Sequence, residues 1–298
     1  MNYEFKNYKM NGIWTVIPTI FDNNNIILYN EIDSLVDRQV KAKISGIVLL
    51  GTTSETSTID NSDKLVIITS IWTKYKDKIN IMVGVGGNNT KEINNFIHLI
   101  KDYCHFIMIT VPYYNKPNQE GLEEHMIFLA NQHKEKKMII YNIPGRCGVN
   151  LEVNTLCNIV KHSPNIIGIK EASGNINQIY DTIQRTNISI MSGDDSLIIP
   201  VMGLGGLGLI SVVSNIIPEE MMNIYNLCSQ NNFKQALIEY NKISKICNIC
   251  FITSNPIPLK MILKKMNLIS SNKVLLPLKV PNDQKINDHI EEIINLLN

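Results

Sequence analysis

The chain alternates between short apolar runs and longer segments of helical periodicity, and this alternation restricts its fold more than any other feature. The first run covers residues 12–18 and the eighth covers 208–212, with no linker-like stretch between them. Short apolar runs flanked by glycine predict buried strands, whereas apolar residues that repeat every three or four positions predict helices. Eight such units in about 220 residues fit a closed parallel barrel better than an open doubly wound sheet. We therefore predict an α/β fold, a (β/α)8 TIM barrel with a C-terminal helical appendage.

The predicted elements occupy nearly the whole chain. Strands are expected at residues 12–18, 46–50, 79–85, 106–110, 137–141, 166–170, 188–191 and 208–212. Helices are expected near residues 29–44, 61–75, 90–102, 119–134, 151–162, 175–186 and 195–203. The rest of the chain is mostly helical, so we predict a barrel catalytic domain over residues 1–230 and a C-terminal helical region over residues 231–298.

The composition favours a small molecule as the binding partner. The formal net charge is +1 and the lysines are scattered, so neither nucleic acid nor a membrane surface is predicted. Aromatic residues make up only 7% of the chain, which leaves no stacking platform for bases. The longest apolar stretch, residues 197–213, is interrupted by glycines and serines and predicts no transmembrane helix. Residues 1–10 are polar and predict no targeting segment.

The six cysteines are dispersed among predicted strands and helices, which argues against a disulfide framework. Cys247 and Cys250 form a single CxxC pattern without a second pair or a histidine partner. We interpret them as packed helix residues rather than as a zinc or redox site. This use of cysteine is typical of a reducing compartment, and we expect a cytoplasmic protein.

Lys170 ends an otherwise apolar run, residues 166–170, that is predicted to be a buried strand. Burial disfavours the charged form of a lysine, so an amine at this strand end would be neutral often enough to act as a nucleophile. A neutral amine is what Schiff-base chemistry on a carbonyl requires. The alternative is a lysine whose stem covers apolar surface and whose head lies in solvent.

Polar residues follow several of the predicted strands at the point where each strand ends. Thr52 and Thr53 follow the second strand, Tyr113 and Tyr114 follow the fourth, and Tyr141 ends the fifth. Active sites of (β/α)8 barrels lie at the carboxyl ends of the strands and in the loops just after them. A single tyrosine there is usually structural, but these groups together with the lysine predict one catalytic site.

Two glycine-rich segments offer competing interpretations. Residues 203–208 match the literal G-x-G-x-x-G pattern, but a helix precedes the glycines and a strand follows them. A dinucleotide site needs the opposite order, so these glycines predict a tight turn from helix to strand. Residues 84–90 follow the third strand and open a helix, which is compatible with an anion-binding nest, although they lack the Lys-Ser/Thr of a phosphate loop.

The histidines show no spacing typical of metal ligands relative to the carboxylates, which disfavours a metal-dependent aldolase. They are His98, His105, His125, His133, His162 and His289. Asp194 and Asp195 follow the seventh strand. They are compatible with an acid pair or, equally, with one of them capping the next helix.

Six motifs follow one another along the chain: Gly51-Thr52-Thr53-Ser54-Glu55-Thr56, Pro112-Tyr113-Tyr114-Asn115-Lys116-Pro117, Tyr141-Asn142-Ile143-Pro144-Gly145-Arg146, Gly168-Ile169-Lys170-Glu171-Ala172, Ser192-Gly193-Asp194-Asp195 and Asn255-Pro256-Ile257-Pro258. On these motifs the chain resembles the dihydrodipicolinate synthase / N-acetylneuraminate lyase family of pyruvate-dependent Schiff-base aldolases over nearly its whole length. Within the family, the chain resembles the dihydrodipicolinate synthase branch at Pro144-Gly145-Arg146, because the sialic acid lyases lack an arginine at this position.

The resemblance implies condensation of pyruvate with L-aspartate-4-semialdehyde, the entry step of diaminopimelate and lysine synthesis. Lys170 would form a covalent imine with pyruvate, so no metal or organic cofactor is expected. Tyr141 would act as the acid and base. Thr52 and Tyr114 would continue the proton relay, the tyrosine being supplied by the neighbouring subunit. The active unit is therefore expected to be at least a dimer, with a tetramer favoured.

The resemblance also implies the groups that bind the substrates. Thr53 and its backbone amide would hold the pyruvate carboxylate. Arg146 would grip the carboxylate of the semialdehyde through two parallel hydrogen bonds. Main-chain groups near Gly193 and Ile210 would line the same pocket.

Two residues depart from the family pattern near these groups. Ser54 stands where the family usually has glycine, which would restrict the backbone after Thr53 if that position needs a positive φ. Cys147 replaces a usual threonine beside Arg146, which removes a good hydroxyl donor. We expect both changes to tune the activity rather than abolish it.

A regulatory lysine site is a further implication. In feedback-regulated relatives, lysine binds at the dimer interface near positions that correspond to Asn88, Glu92 and Tyr113. Lys64 stands where strongly inhibited bacterial enzymes often have histidine. Its charge would oppose an ε-ammonium but favour an α-carboxylate. Equally, Asn88 and Glu92 fit the first turn of a solvated helix. We expect weak or absent inhibition by lysine.

Two alternative functions remain open on the sequence. The first is another pyruvate-dependent class I aldolase of the family, acting on a sugar acid or a keto acid. The second is a catalytically silent barrel that binds a ligand. The intact lysine, Tyr141 and threonine pair argue against the silent barrel.

Overall fold

The computed structural model describes residues 8–297, and its eight strands form a closed barrel in the order β1 to β8. This confirms the predicted (β/α)8 TIM barrel, with neighbouring strands paired in parallel. The strands are β1 Gly12–Val16, β2 Gly46–Leu49, β3 Asn80–Val85, β4 Phe106–Thr110, β5 Lys137–Asn142, β6 Ile166–Glu171, β7 Ser189–Ser192 and β8 Gly208–Ser211. They are almost wholly buried, which explains why they are mostly apolar rather than alternating between apolar and polar residues.

Helices follow the strands, as the periodicity predicts. They are α1 Tyr29–Lys41, α2 Asn61–Tyr75, α3 Thr90–Ile100, α4 Gln119–Gln132, α5 Pro144–Cys147, α6 Val153–His162, α7 Ile176–Arg185, α8 Ile198–Gly203, α9 Pro218–Ser229, α10 Phe233–Ile249, α11 Ile257–Lys265 and α12 Gln284–Leu297. The predicted helix over residues 195–203 begins as a separate 3₁₀ turn, Asp195–Leu197. The sequence analysis missed α5, which is a single turn and too short to show a period.

The turn between α8 and β8 confirms the structural interpretation of the glycines at residues 203–208. Gly205 has a φ of +109°, a conformation that residues with a side chain rarely adopt. The chain thus needs glycine here to turn from helix to strand.

The chain divides into two compact units. One comprises the segment ending at Gly12 together with Asn80–Ile210, and it contains β3–β7. The other comprises Ile13–Ile79 together with the chain from Ser211 onward, and it contains β2 and α9–α12. Within the second unit, every residue from Ile257 to Leu263 on α11 is buried, including Lys260. The predicted division of the chain at residue 230 stays a prediction.

Three further expectations concern membrane-spanning helices, metal sites and a targeting segment. Among residues 8–297, no helix has both the length and the hydropathy needed to cross a membrane. The same residues contain no group of three or more His, Cys, Asp or Glu side chains arranged to hold a metal ion. The prediction about targeting falls partly on residues 1–7, which lie outside the described residues.

Candidate active site

Lys170 lies at the carboxyl end of β6, one residue before the strand ends. Its side chain is only 5% exposed, and this burial is the main reason why its pKa is lowered from 10.5 to about 8. The charge of Arg146 lowers the pKa further, whereas the charge of Asp195 raises it. The solvent-exposed alternative for Lys170 is therefore wrong, and the amine is suited to nucleophilic attack.

Tyr141 is the register partner of Lys170 on the neighbouring strand β5. The Lys170 Nζ atom lies 4.2 Å from the centroid of the Tyr141 ring. Because paired residues of adjacent strands point to the same side of a sheet, the lysine and the tyrosine share one face. The structure therefore brings the predicted nucleophile and the predicted acid/base together.

A buried polar network lies under this pair, on the opposite face of the same two strands. Asn142 and Glu171 are the next register partners, and Asn142 Nδ2 donates to both carboxylate oxygens of Glu171, at 3.0 and 3.2 Å. The carboxylate also accepts from the Ser173 N–H at 2.7 Å and from Gln178 Nε2 at 3.2 Å. This network ties the ends of β5 and β6 to each other and so fixes the register of Tyr141 and Lys170.

Arg146 lies on the short helix α5, directly after β5, and its side chain is exposed. The neighbouring Cys147 is buried, and its thiol donates to the Val111 carbonyl oxygen at 3.1 Å. Burial raises the pKa of Cys147 to about 11, so this thiol is protonated and able to donate. The residue in place of the usual threonine thus still donates a hydrogen bond, although a thiol is the weaker donor.

The two aspartates after β7 have separate roles. Asp194 Oδ1 accepts from the Ser196 N–H at 2.9 Å and from the Ser196 hydroxyl at 2.8 Å, which confirms the capping interpretation for this residue. Asp195 is buried, and its charge acts on Lys170. Gly193 precedes them, and a Cβ atom there would lie 3.2 Å from Lys170 Cε and 2.6 Å from Ala172 Cβ. Only glycine fits at this distance from the lysine stem.

Ile210 lies in β8, and its side chain is fully buried. Its main-chain role in a pocket stays a prediction.

Thr52 and Thr53 belong to a 3₁₀ turn, Thr52–Ser54, that follows β2. Thr53 is only 1% exposed, and its Oγ1 atom accepts a hydrogen bond from Asn255 Nδ2 at 2.9 Å. Ser54 lies within the turn, and its hydroxyl donates to the Ile17 carbonyl oxygen at 2.6 Å. The positive φ values after β2 fall on Leu50, at 56°, and on Glu55, at 57°. The condition for a backbone restriction at Ser54, a positive φ at that residue, is therefore not met.

Glu55 forms a buried ion pair with Lys260 of α11, at 2.5 Å and with both side chains at most 1% exposed. The second Glu55 oxygen accepts from the Leu275 N–H at 2.7 Å, and Lys260 Nζ also donates to the Lys273 carbonyl oxygen at 2.8 Å. Neither residue was predicted from the sequence to have a role. A lysine inside the apolar run of residues 257–263 was the available signal, because a buried lysine needs a partner.

Known proteins resemble this chain over nearly its whole length. The family model of the "Dihydrodipicolinate synthetase family" matches residues 9–296. The chain belongs to this family. It is 34% identical over 296 residues to the 4-hydroxy-tetrahydrodipicolinate synthase of Parabacteroides distasonis, covering 97% of each chain.

Two solved structures of dihydrodipicolinate synthases resemble this chain over nearly its whole length. The chloride-inhibited dihydrodipicolinate synthase of Acinetobacter baumannii complexed with pyruvate has a TM-score of 0.92 and 32% identity, covering 97% of this chain and 99% of that one. A structure described as the first monomeric dihydrodipicolinate synthase variant has a TM-score of 0.92 and 29% identity, covering 96% of each chain.

Tyr114, which the family resemblance assigns to a proton relay, is the most exposed large aromatic residue in the described part of the chain. Its side chain is 87% exposed and its φ is 73°. Its backbone N–H donates to the Cys147 carbonyl oxygen at 3.3 Å, which ties the loop after β4 to α5. The backbone is thus held while the ring extends into solvent.

The residues of the candidate lysine site have local partners. Glu92 Oε1 accepts from Asn89 Nδ2 at 3.0 Å in the cap of α3, and Asn88 Nδ2 donates to the Tyr113 carbonyl oxygen at 3.2 Å. Lys64 Nζ donates to Asn61 Oδ1 at 3.3 Å, and burial lowers the pKa of Lys64. For Glu92, these contacts favour the interpretation as a first-turn residue of a helix. The regulatory role of the site stays a prediction.

Proposed function

We propose that the chain condenses pyruvate with L-aspartate-4-semialdehyde to 4-hydroxy-tetrahydrodipicolinate, the first committed step of diaminopimelate and lysine biosynthesis. The observation that carries the proposal is a buried lysine with a pKa of about 8, placed at the carboxyl end of a barrel strand in a chain of this family. Relatives named 4-hydroxy-tetrahydrodipicolinate synthase support the choice of substrates.

The chemistry begins with attack of the neutral Lys170 Nζ atom on the ketone carbon of pyruvate. The ketone oxygen leaves as water, and the resulting iminium withdraws electrons so that a methyl proton can leave and an enamine can form. The enamine carbon then attacks the aldehyde carbon of the second substrate. Attack of that substrate's own amine on the imine closes the ring and releases the lysine. No further electron sink is needed, so the covalent imine takes the place of a cofactor.

Each proton in these steps needs a donor or an acceptor at the strand ends. Tyr141 is the register partner of Lys170, which supports its role as the acid and base. We assign the continuation of the relay to Thr52 and to Tyr114 of a neighbouring copy of the chain. The exposure of the Tyr114 ring supports a role outside its own subunit.

Two carboxylates must be held in this reaction. We assign the pyruvate carboxylate to Thr53 and the semialdehyde carboxylate to Arg146, with main-chain groups of Gly193 and Ile210 as further lining. The guanidinium suits a carboxylate because its planar fork donates two parallel hydrogen bonds. Its exposed position on α5 supports a role with the second substrate, which enters after pyruvate is bound.

The proposal extends to the oligomeric state of the protein and to its location in the cell. The use of Tyr114 across a subunit boundary makes the active unit at least a dimer, and we favour a tetramer built as a pair of dimers. A relative described as the first monomeric variant is consistent with oligomers being usual in the family. We also propose a cytoplasmic location, which the six free cysteines support. For Asn88, Glu92, Tyr113 and Lys64 we propose a lysine pocket of weak effect.

Trapping with borohydride tests the nucleophile directly. Incubation with pyruvate and borohydride should add a reduced three-carbon adduct to the peptide that carries Lys170. Lys260 is an internal control, because it is as deeply buried but is engaged by Glu55. Lys170→Ala should lose the adduct and most of the condensation rate. An adduct on another lysine would refute the assignment, and trapping without condensation of the semialdehyde would refute the substrate.

A further inference from the structure

Thr53 receives a hydrogen bond from the side chain of Asn255, and the direction of this bond matters. Within residues 8–297, the Thr53 hydroxyl makes only this one hydrogen bond, in which its oxygen is the acceptor. A hydroxyl has one hydrogen to donate in addition to its two lone pairs. Because the Asn255 amide occupies a lone pair, the Thr53 hydrogen stays available for a different acceptor.

The buried position of Asn255 leaves one of its polar atoms without a hydrogen bond among the described residues. Its side chain is 6% exposed, and its Oδ1 atom is buried without a hydrogen-bond partner among the described residues. A buried acceptor without a partner is destabilising, because it has given up its hydrogen bonds to water. Asn255 thus presents its donor, and not its acceptor, to Thr53.

The Glu55–Lys260 ion pair is a second contact between the chain segments that contain Thr53 and Asn255. Glu55 lies two residues after Thr53, and Lys260 lies on α11, which begins two residues after Asn255. The pair therefore joins the loop of residues 52–55, here called the threonine loop, to α11. Two contacts of different chemistry, a neutral hydrogen bond and a buried ion pair, fix one loop against one helix.

We propose that Asn255 is a positioning residue that keeps the Thr53 hydroxyl a donor toward the carboxylate of pyruvate. The Glu55–Lys260 pair holds α11 and the threonine loop at the distance that this contact needs. The inference rests on the proposed role of Thr53 in binding that carboxylate, and it adds the residue that sets the direction of the bond.

Asn255→Asp is the direct test, because it changes the shape of the side chain little and reverses its hydrogen bonding. While it is ionised, the substituted carboxylate accepts hydrogen bonds but cannot donate them, so the Thr53 hydroxyl must turn its hydrogen toward it. The pyruvate KM should rise roughly 10- to 100-fold, the range for losing a hydrogen bond to a charged group. The semialdehyde KM and kcat should change much less.

The pH dependence separates this role from a general disturbance of the fold. A protonated carboxyl can still donate to Thr53, so the pyruvate KM of Asn255→Asp should fall toward the wild-type value as the pH is lowered through the pKa of the new group. A disturbed fold gives a KM defect that does not follow this ionisation. Asn232→Asp is the matched control, because it adds the same charge at the exposed cap of α10, where an aspartate also serves.

Two further variants keep the test decisive if Asn255→Asp unfolds. Asn255→Ala should raise the pyruvate KM in the wild-type background but add little in a Thr53→Val background, because it acts through Thr53. Equal effects of Asn255→Ala in both backgrounds would overturn the inference. If Thr53→Val itself leaves the pyruvate KM unchanged, the proposed role of Thr53 is wrong. If the wild-type protein shows no condensation activity, the proposed function itself is refuted.

Discussion

The pKa of Lys170 gives the sharpest quantitative expectation for this protein. A pKa lowered from 10.5 to about 8 changes the share of neutral amine at neutral pH. At pH 7 that share rises from roughly 0.03% to roughly 9%, which is a gain of about 300-fold in the reactive form. The rate of imine formation with pyruvate should therefore rise with pH, inflect near pH 8 and then reach a plateau.

Two substitutions should move this inflection in opposite directions. The charge of Asp195 raises the pKa of Lys170, so Asp195→Asn should shift the inflection to lower pH and speed trapping at pH 7. The charge of Arg146 lowers the same pKa, so Arg146→Ala should shift the inflection to higher pH and slow trapping at pH 7. The plateau rate at high pH should be similar in all three proteins, since the amine is then neutral in each.

The assay is the initial rate of adduct formation in the presence of pyruvate and cyanoborohydride, followed by mass spectrometry over a series of pH values. Thermal unfolding of each variant checks that the fold is intact. A wild-type inflection above about pH 9.5 would show that burial does not lower this pKa enough to matter. Shifts of the same sign in both variants would show that Asp195 and Arg146 act on the fold rather than on the charge of Lys170.

Other predictions follow from the remaining site residues. Arg146→Ala should raise the KM for aspartate semialdehyde while the pyruvate adduct still forms at high pH, and equal damage to both would assign this arginine to pyruvate or to the fold. Sedimentation should show at least a dimer, and Tyr114→Phe should lower kcat without dissociating it; a fully active monomer would contradict the shared relay. Lysine added to the steady-state assay should inhibit weakly or not at all, and strong inhibition at micromolar lysine would show that Lys64 is compatible with the site. Glu171→Ala should lower the free energy of unfolding by about 3 kcal/mol, because several buried donors lose their acceptor, and urea titration measures this.

The barrel was predictable from the sequence because both of its periods are visible there. Strands buried on both faces are mostly apolar, and helices that cover them are apolar on one side only. Strand ends were less certain: β6 continues to Glu171, a charged residue that a hydrophobic pattern places outside the strand. Its carboxylate is tolerated there because four donor contacts satisfy it.

The site was predictable where polar side chains stand at the ends of apolar runs. Lys170 stood out because it is a charge at the end of an apolar run. The effect of Ser54 on the backbone was not predictable, because the positive φ values after β2 fall on Leu50 and Glu55, and a backbone angle cannot be assigned to one position from composition. The contact from Asn255 to Thr53 joins residues 202 positions apart in the chain, and a single sequence contains no information about such a pair.

Lys170 and Lys260 show what separates a reactive lysine from a structural one. Both lie in apolar runs, both are buried, and burial lowers the pKa of both. The Lys260 ammonium is engaged on several sides: it donates to the Glu55 carboxylate and to a main-chain oxygen, and it lies 4.6 Å from the centroid of the Phe21 ring. Lys170 forms no ion pair within residues 8–297, and its nearest described aromatic contact, Tyr141, is a group that can exchange protons. Burial favours the neutral amine at Lys170 although the charge of Asp195 opposes it, whereas the Glu55 carboxylate pairs directly with the Lys260 ammonium. The lone pair of a neutral Lys170 amine can then attack a carbonyl carbon.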